Sequence, residues 1–485
     1  MLFSSNIFLF LFMPIYVFGY HALDLLGALV LRRKELSQQF SNGVLFALSL
    51  FFYFWGSGRF IVVFAVAIAA NTLLGWLIEK STTRKRSWLV LGVIGNLSIL
   101  LYFKYFGFLF AQVAAALLSA AGVHLEPLAP IYLPVGVSFY TFMAISYLVE
   151  VYQGQVKGAG LLRFGTYLTL FPHLVAGPIV RYSEIAGELR ERKVTVPLAF
   201  EGVRRFSVGL AKKVILANSL GAVADAIFAL PTSELTTSLS WIGVASYTLQ
   251  IYFDFSGYTD MAIGLARFFG FHFPENFNAP YLADSVTDFW RRWHMSLSRW
   301  FRDYLYIALG GNRAGPLRTY FNLFTVFALC GLWHGASWTF VIWGIFHGVL
   351  LVAERVLRLR FGVQPRGIPG RVLTMVLVMV GWVFFRAPTL GGALAFLKAM
   401  FGFAHVSGWQ YFSARHYLDA ATTTYLLAGA AIVLIPWHRV SWKRFETRGP
   451  RSFVLAQGAA IVVLTLLSLT VLSKTQFNPF IYFQF

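Results

Sequence analysis

The chain is poor in charge, in acidic residues and in cysteine. Of its 485 residues only 12% are Asp, Glu, Lys or Arg, while 58% are hydrophobic. Soluble domains carry roughly 25% charged residues, so a chain with half that share cannot clothe a water-facing globule and belongs in a membrane. At about 20 apolar residues per crossing, the length accommodates about ten to twelve spans. These are expected to pack as one all-α integral-membrane domain over residues 1–485. Acidic residues number 20 against 40 lysines and arginines, a formal charge of +20. Such an excess can signal nucleic acid, but here it is confined to short clusters between apolar runs: Arg32-Arg33-Lys34, Arg84-Lys85-Arg86, Arg190 to Lys193 and Arg439 to Arg451. That is the pattern of cytoplasmic loops beside anionic lipid. Membrane lipid is therefore an expected partner and nucleic acid is not. The single cysteine, Cys330, excludes an intrachain disulfide and a cysteine-based metal cluster, and no metal site is expected. Lying four residues from His334, Cys330 is either a thiol nucleophile or a buried apolar side chain.

The first twenty residues, MLFSSNIFLFLFMPIYVFGY, have no basic leader and no small-x-small cleavage pattern. They read as a retained membrane segment whose N-terminus faces the exterior, since the first basic cluster follows the span. Further along, residues 123–130 read as a short exterior loop carrying Glu126, and no soluble domain or internal repeat interrupts the apolar runs.

What is present is a small set of polar residues in expensive places. His334 stands in CGLWHGASW, and between Tyr320 and Val352 there is no Asp, Glu, Lys or Arg. An ionisable group at membrane depth usually lines a cavity or a path. Gly331 and Gly335 give the imidazole room, Trp333 supplies an aromatic wall, and Ser337 offers a hydrogen-bond partner. The same context also suits a core histidine bonded to a nearby carbonyl. Basic loops flank the stretch on both sides, so the chain is expected to turn back near His334 through the two glycines. FPHLVAGP, Phe171 to Pro178, has two prolines, a histidine and a glycine in eight residues between Arg163 and Arg181. It suggests a re-entrant segment. Within it His173 is a candidate, as is His347 in IFHGV, though packing or hydrogen bonding explains both.

The longest mixed-polarity stretch runs from His272 to Arg318. SVTD, Ser285 to Asp288, suits a helix cap. From Phe289 to Tyr306 aromatic residues interleave with Arg291, Arg292, Arg299 and Arg302, as on an amphipathic interfacial helix. On one helix Trp290, His294 and Leu297 share a face, as do Arg291, His294 and Ser298. Arginines beside His294 favour its neutral form through like-charge repulsion. Their guanidinium groups also match the phosphates of an anionic donor. Asp254 and Asp260, in YFDFSGYTDMAIG, are costly carboxylates that either pair with cations or line a polar cavity. Six residues apart, they do not share a helical face and imply no acid/base dyad.

Several long segments, in order, resemble the membrane-bound O-acyltransferases, and most closely their bacterial alginate O-acetyltransferase branch. They include LPVGVSFYTFMAISYLVEVY, FPHLVAGPIVR, QIYFDFSGYTDMAIGLA, PENFNAPY, FWRRWHMSLSRWFRDYLYIALGGNR and GLWHGASWTFVIWG. The likeness covers about residues 1–390, and the helices of 391–485 are less diagnostic. It implies a bundle of about ten to twelve transmembrane helices, with re-entrant and interfacial helices, around a central tunnel. The family's characteristic histidine falls on His334, and a second polar position about forty residues earlier falls on His294. These two are the implied catalytic residues. Trp290, Arg291, Arg292, Ser298, Trp333 and Asp254 are candidates for holding the donor or lining the tunnel. The resemblance further implies no permanently bound cofactor, acetyl-CoA as a donor on the cytoplasmic side, and periplasmic partner proteins that complete acetylation of an exported polysaccharide. It implies an inner-membrane location and alginate as acceptor. Cellulose, peptidoglycan, another surface polymer, or D-alanyl transfer to teichoic acid are alternatives. From other classes, a transporter or flippase and a lipid-linked-sugar glycosyltransferase also compete.

Overall fold

The computed structural model describes residues 2–123, 128–404, 413–436 and 450–474. The expected exterior carboxylate Glu126 and most of the basic cluster Arg439 to Arg451 lie outside the described residues. Among the described residues every regular element is a helix. In hydrocarbon each backbone N–H and C=O must find its partner within the protein, and a helix satisfies this segment by segment.

Seven segments are long and apolar enough to cross a bilayer: Phe8–Leu31, Lys34–Lys80, Lys85–Ser119, Val196–Phe228, Trp338–Phe361, Gly367–Arg386 and Ser452–Lys474. Three shorter apolar helices, Val137–Tyr152, Leu390–Met400 and Ala420–Leu434, accompany them. Apolar runs and helices do not correspond one to one. Lys34–Lys80 contains two helices, Lys34–Ser57 and Ile61–Lys80, parted at Gly58, whose φ of +52° favours glycine. Conversely, the 32-residue helix Thr237–Phe268 is long enough to span but carries Asp254 and Asp260. Large apolar side chains stand outward along the spans, among them Phe18, Leu29 and Leu455. An apolar exterior of that extent suits lipid.

Two compact units are present, Met1–Val203 with Ala262–Pro274, and Arg204–Met261 with Glu275–Phe485. In the first, residues 164–180 are buried without interruption. Here the Leu161–Thr169 helix bends at Leu170 into the single turn Phe171–Leu174, followed by a turn over residues 175–177 and irregular chain. The irregular backbone of FPHLVAGP is thus wrapped in protein, where membrane proteins tolerate it. His173 sits inside it, with Nε2 2.9 Å from the Tyr167 carbonyl and its ring stacked on Phe273 at 5.0 Å. Packing and a backbone bond account for it.

In the second unit the Gly315–His334 helix ends at His334, and after three residues Trp338–Phe361 runs back against it. The chain turns at the glycines, as the flanking charges suggest. Gly331 and Gly344 make this possible. A Cβ on Gly331 would meet the Phe340 carbonyl and lie 2.9 Å from Gly344 Cα, and one on Gly344 would meet the Phe327 carbonyl. Small residues that let backbones touch are the usual means of helix association in lipid. Gly335 is extended and needs no special conformation, but a side chain there would strike the Phe340 ring. We expect Gly331→Ala to lower the apparent thermal midpoint of the detergent-solubilised protein, reflecting a loss of about 1–3 kcal/mol from overpacking. Gly43→Ala, where nothing lies within 4 Å, is the control that should leave the midpoint in place.

Candidate active site

His294 does not lie on a continuous amphipathic helix. The chain forms one helix over Val286–Arg292, capped as SVTD suggests by Ser285 Oγ accepting from the Asp288 N–H at 3.1 Å, and a second over Met295–Trp300. Trp293 between them is extended and His294 is left-handed, at φ 43° and ψ 53°. The shared faces expected for Trp290, His294 and Leu297, and for Arg291, His294 and Ser298, are therefore lost. The reason lies in the PENFN loop. Asn276 is fully buried, its carbonyl accepts from Met295 N at 2.9 Å, and its Oδ1 accepts from Ser296 N at 3.1 Å. Asn278 N donates to the Arg292 carbonyl at 3.0 Å. The loop thus takes up the backbone groups on both sides of the break. A left-handed histidine costs about 1 kcal/mol, and these bonds hold it there.

The break turns the His294 imidazole inward. Its ring lies 4.6 Å from Phe255, 6.3 Å from Trp333 and 6.4 Å from His334, centroid to centroid. His334 in turn is edge-on to Trp333 at 5.0 Å, Trp343 at 5.1 Å and Phe385 at 5.2 Å. His294 is 0% exposed and His334 5%, so two imidazoles from separate elements share one water-poor aromatic cluster. His294 lies outside the seven spanning segments, and burial pushes it down to about 3. Desolvation, not the arginine repulsion expected from a helix, keeps it neutral. A buried neutral imidazole can accept a proton or donate a hydrogen bond at physiological pH.

Trp290 Nε1 donates to His347 Nδ1 at 3.3 Å, which gives both buried side chains a partner. Trp290, Arg291 and Ser298 line a largely apolar cavity of about 520 Å³, together with Met295, Arg299 and Cys330. Met295 follows His294 directly, and Cys330 is one helical turn before His334, so the cavity wall adjoins the pair along both chains. Cys330 itself is buried among apolar neighbours. Arg291 also borders a polar cavity of about 340 Å³ with Arg292, Arg358 and Arg371. Arg292 is tied by its Nε to Asp288 Oδ2 at 2.8 Å. Ser337 Oγ lies 2.8 Å from Thr339 Oγ1 at the start of the returning helix.

Asp254 and Asp260 are held by cations. Lys213 Nζ is 2.6 Å from Asp254 Oδ1, with both side chains at most 3% exposed. Lys212 Nζ is 2.6 Å from Asp260 Oδ2. A π-helical stretch, Lys212–Ala217, presents the two adjacent lysines to carboxylates six residues apart. Arg205 then bridges Asp260, at 2.7 Å, and Glu275, at 2.8 Å through Nη1 and Oε1. Glu275 adjoins Asn276, so the ion-pair chain runs from Arg205 to the loop that shapes His294. Sequence reasoning missed Arg205, Asn276, Phe255, Trp343 and Phe385. For Asn276 a signal existed, an asparagine in a proline-bounded loop among aromatics. The others are recognisable only once folded.

The profile of the membrane-bound O-acyltransferase family matches residues 59–390. The chain belongs to the membrane-bound O-acyltransferase family. It is a multi-pass membrane O-acyltransferase, and the His294–His334 cluster lies within the matched region. The chain is 39% identical, over the full length of both, to the "Probable alginate O-acetylase AlgI" of Azotobacter vinelandii. It is 42% identical to the protein of that name from Pseudomonas aeruginosa, over 89% of this chain and 80% of that one. The peptidoglycan O-acetyltransferase of Helicobacter pylori is 36% identical over 81% of this chain and 80% of its own.

If His294 acts in the chemistry, replacing Asn276 by Ala should lower kcat about tenfold to a hundredfold, with KM nearly unchanged, because displacing a reacting group costs rate more than binding. Arg205→Gln should have a weaker effect in the same direction and combine less than additively with Asn276→Ala. Steady-state acyl transfer by the three purified variants measures both.

Proposed function

We propose that this acyltransferase moves acetyl groups from a cytoplasmic donor, acetyl-CoA, across the bacterial inner membrane for O-acetylation of an exported polysaccharide, alginate first. The observation that carries this reading is the buried juxtaposition of His294 and His334. Two proteins named for alginate O-acetylation, similar over most or all of their length, supply the acceptor.

The chemistry follows from the residues. A sugar or serine hydroxyl is a poor nucleophile at neutral pH, and an imidazole that takes its proton during attack contributes about 10²–10⁴ in rate. His334 serves as that base. The hydroxyl oxygen bonds to the acetyl carbon, the carbon–sulfur bond breaks, and the departing thiolate recovers the proton from the imidazolium. Neutral His294 donates a hydrogen bond to the carbonyl oxygen as negative charge builds there. Exclusion of water protects the thioester from hydrolysis. Arg291 and Arg292 at the polar cavity suit the donor's phosphates, and the adjoining apolar cavity suits its thioester arm. The acetyl group is then passed to periplasmic partner proteins that complete transfer to the polymer. No resident cofactor takes part.

Transport without acyl transfer, and glycosyl transfer, gain nothing from membership in an acyltransferase family. Peptidoglycan is a second acceptor that a specific observation favours, through the Helicobacter relative, similar over most of its length. Acetate is to be measured on exported alginate and on muropeptides from strains with equal membrane levels of each variant. His334→Ala should lower alginate acetate by at least about a hundredfold, and His294→Ala by about tenfold to a hundredfold. Wild-type acetate in the His334→Ala strain would sink the general-base assignment. Loss confined to muropeptides would instead make peptidoglycan the acceptor.

A further inference from the structure

The first unit contains a basic basin that the acyl-transfer reading does not use. It has a volume of about 630 Å³ and lies where the Met13–Leu31 and Lys34–Ser57 helices meet the Tyr182–Arg190 helix. Six cations line it, Arg32, Arg33, Lys34, Arg163, Arg190 and Arg192, against three carboxylates, Asp24, Glu35 and Glu191. Two of the carboxylates are engaged. Glu191 pairs with Lys34, and Asp24 accepts from Ser41 Oγ.

Arg192 is fixed in place. Its guanidinium donates to Asn42 Oδ1 and Tyr20 Oη and stacks 4.8 Å over the Phe271 ring. Among the described residues, Arg32, Arg33, Arg163 and Arg190 have no ion pair and no side-chain hydrogen bond. Arg32 moreover adopts a left-handed backbone, φ 51°, with no glycine to ease it. Strained backbone retained beside a cluster of uncommitted charges is a reason to look for a ligand. On the Met13–Leu31 helix Leu26, Leu29 and Val30 are 52%, 67% and 67% exposed, on a side turned away from Asp24 and Ala28, which line the basin. The arginine cluster thus lies at the end of a helix that is apolar on its outward side.

We propose that the basin binds the phosphates of an anionic phospholipid headgroup at the end of that span. Arginine forks match phosphate oxygens, and basic pockets between transmembrane helices on the cytoplasmic side hold diphosphate lipid headgroups. The basin's place between the ends of two membrane-spanning segments favours a lipid headgroup over a soluble phosphate ester. The site lies wholly within the first unit, whereas His294 and His334 belong to the second.

The test uses full-length protein in nanodiscs of phosphatidylcholine, with and without cardiolipin, and in detergent with inorganic pyrophosphate. Cardiolipin should raise the apparent thermal midpoint and be retained in native mass spectra. Arg163→Gln/Arg190→Gln should weaken retention roughly tenfold or more, on the basis of about 1 kcal/mol per arginine. Arg84→Gln, a basic change outside the basin, should leave it intact, and Arg163→Lys/Arg190→Lys should restore most of it. Equal cardiolipin retention by wild type and the double Gln variant would overturn the proposal. So would stabilisation by pyrophosphate in detergent with none by cardiolipin, which would assign the basin to a soluble phosphate.

Discussion

The second unit depends on the contact between Gly331 and Gly344. In lipid, two apolar helices gain little from burying oily surface against each other, and close backbone approach supplies the attraction instead. Any side chain at either glycine would strike a carbonyl of the other helix. The contact closes the hairpin Gly315–His334 and Trp338–Phe361, and the turn exposes His334 at a helix end beside Trp343. A histidine in mid-helix would have its neighbours prescribed by the helical repeat. At a helix end it can be surrounded by Trp333, Trp343 and Phe385, which come from three directions.

His294 reaches the same cluster by the opposite device. Where the His334 hairpin relies on regular helices meeting closely, the His294 segment relies on a helix being broken. A left-handed residue is affordable only because Asn276 and Asn278 satisfy the backbone groups that the break releases. The PENFN loop is in turn tied through Glu275 to Arg205 and Asp260. Buried charge here serves placement: leaving one partner of such a network unpaired is costly, which gives the loop a definite seat. Lys213 and Asp254 provide a second anchor on the helix that delivers Phe255 to His294.

Much of this was legible in the sequence. Apolar length announced a polytopic helical protein, the two glycines announced a turn at His334, and the cost of lone carboxylates announced ion pairs for Asp254 and Asp260. The helical-wheel placement of His294 with Arg291 and Ser298 failed because a wheel presumes unbroken backbone. Nothing in FWRRWHMSLSRW shows that a loop about twenty residues earlier will take over two of its N–H groups. The neutral state of His294 was foreseen from neighbouring arginines, but burial supplies it.

By itself the sequence determined the solvent and the chemistry on offer. A chain so low in charge, with few ionisable groups in long apolar runs, must live in lipid, and those few groups must be paired or at work. Tertiary structure alone decided which of them meet. The partners of His334 lie on the returning helix and on Gly367–Arg386, and those of His294 on a distant helix and loop. Their distances depend on helix crossing, on a left-handed turn and on ion pairs, and none of these has a fixed period along the chain.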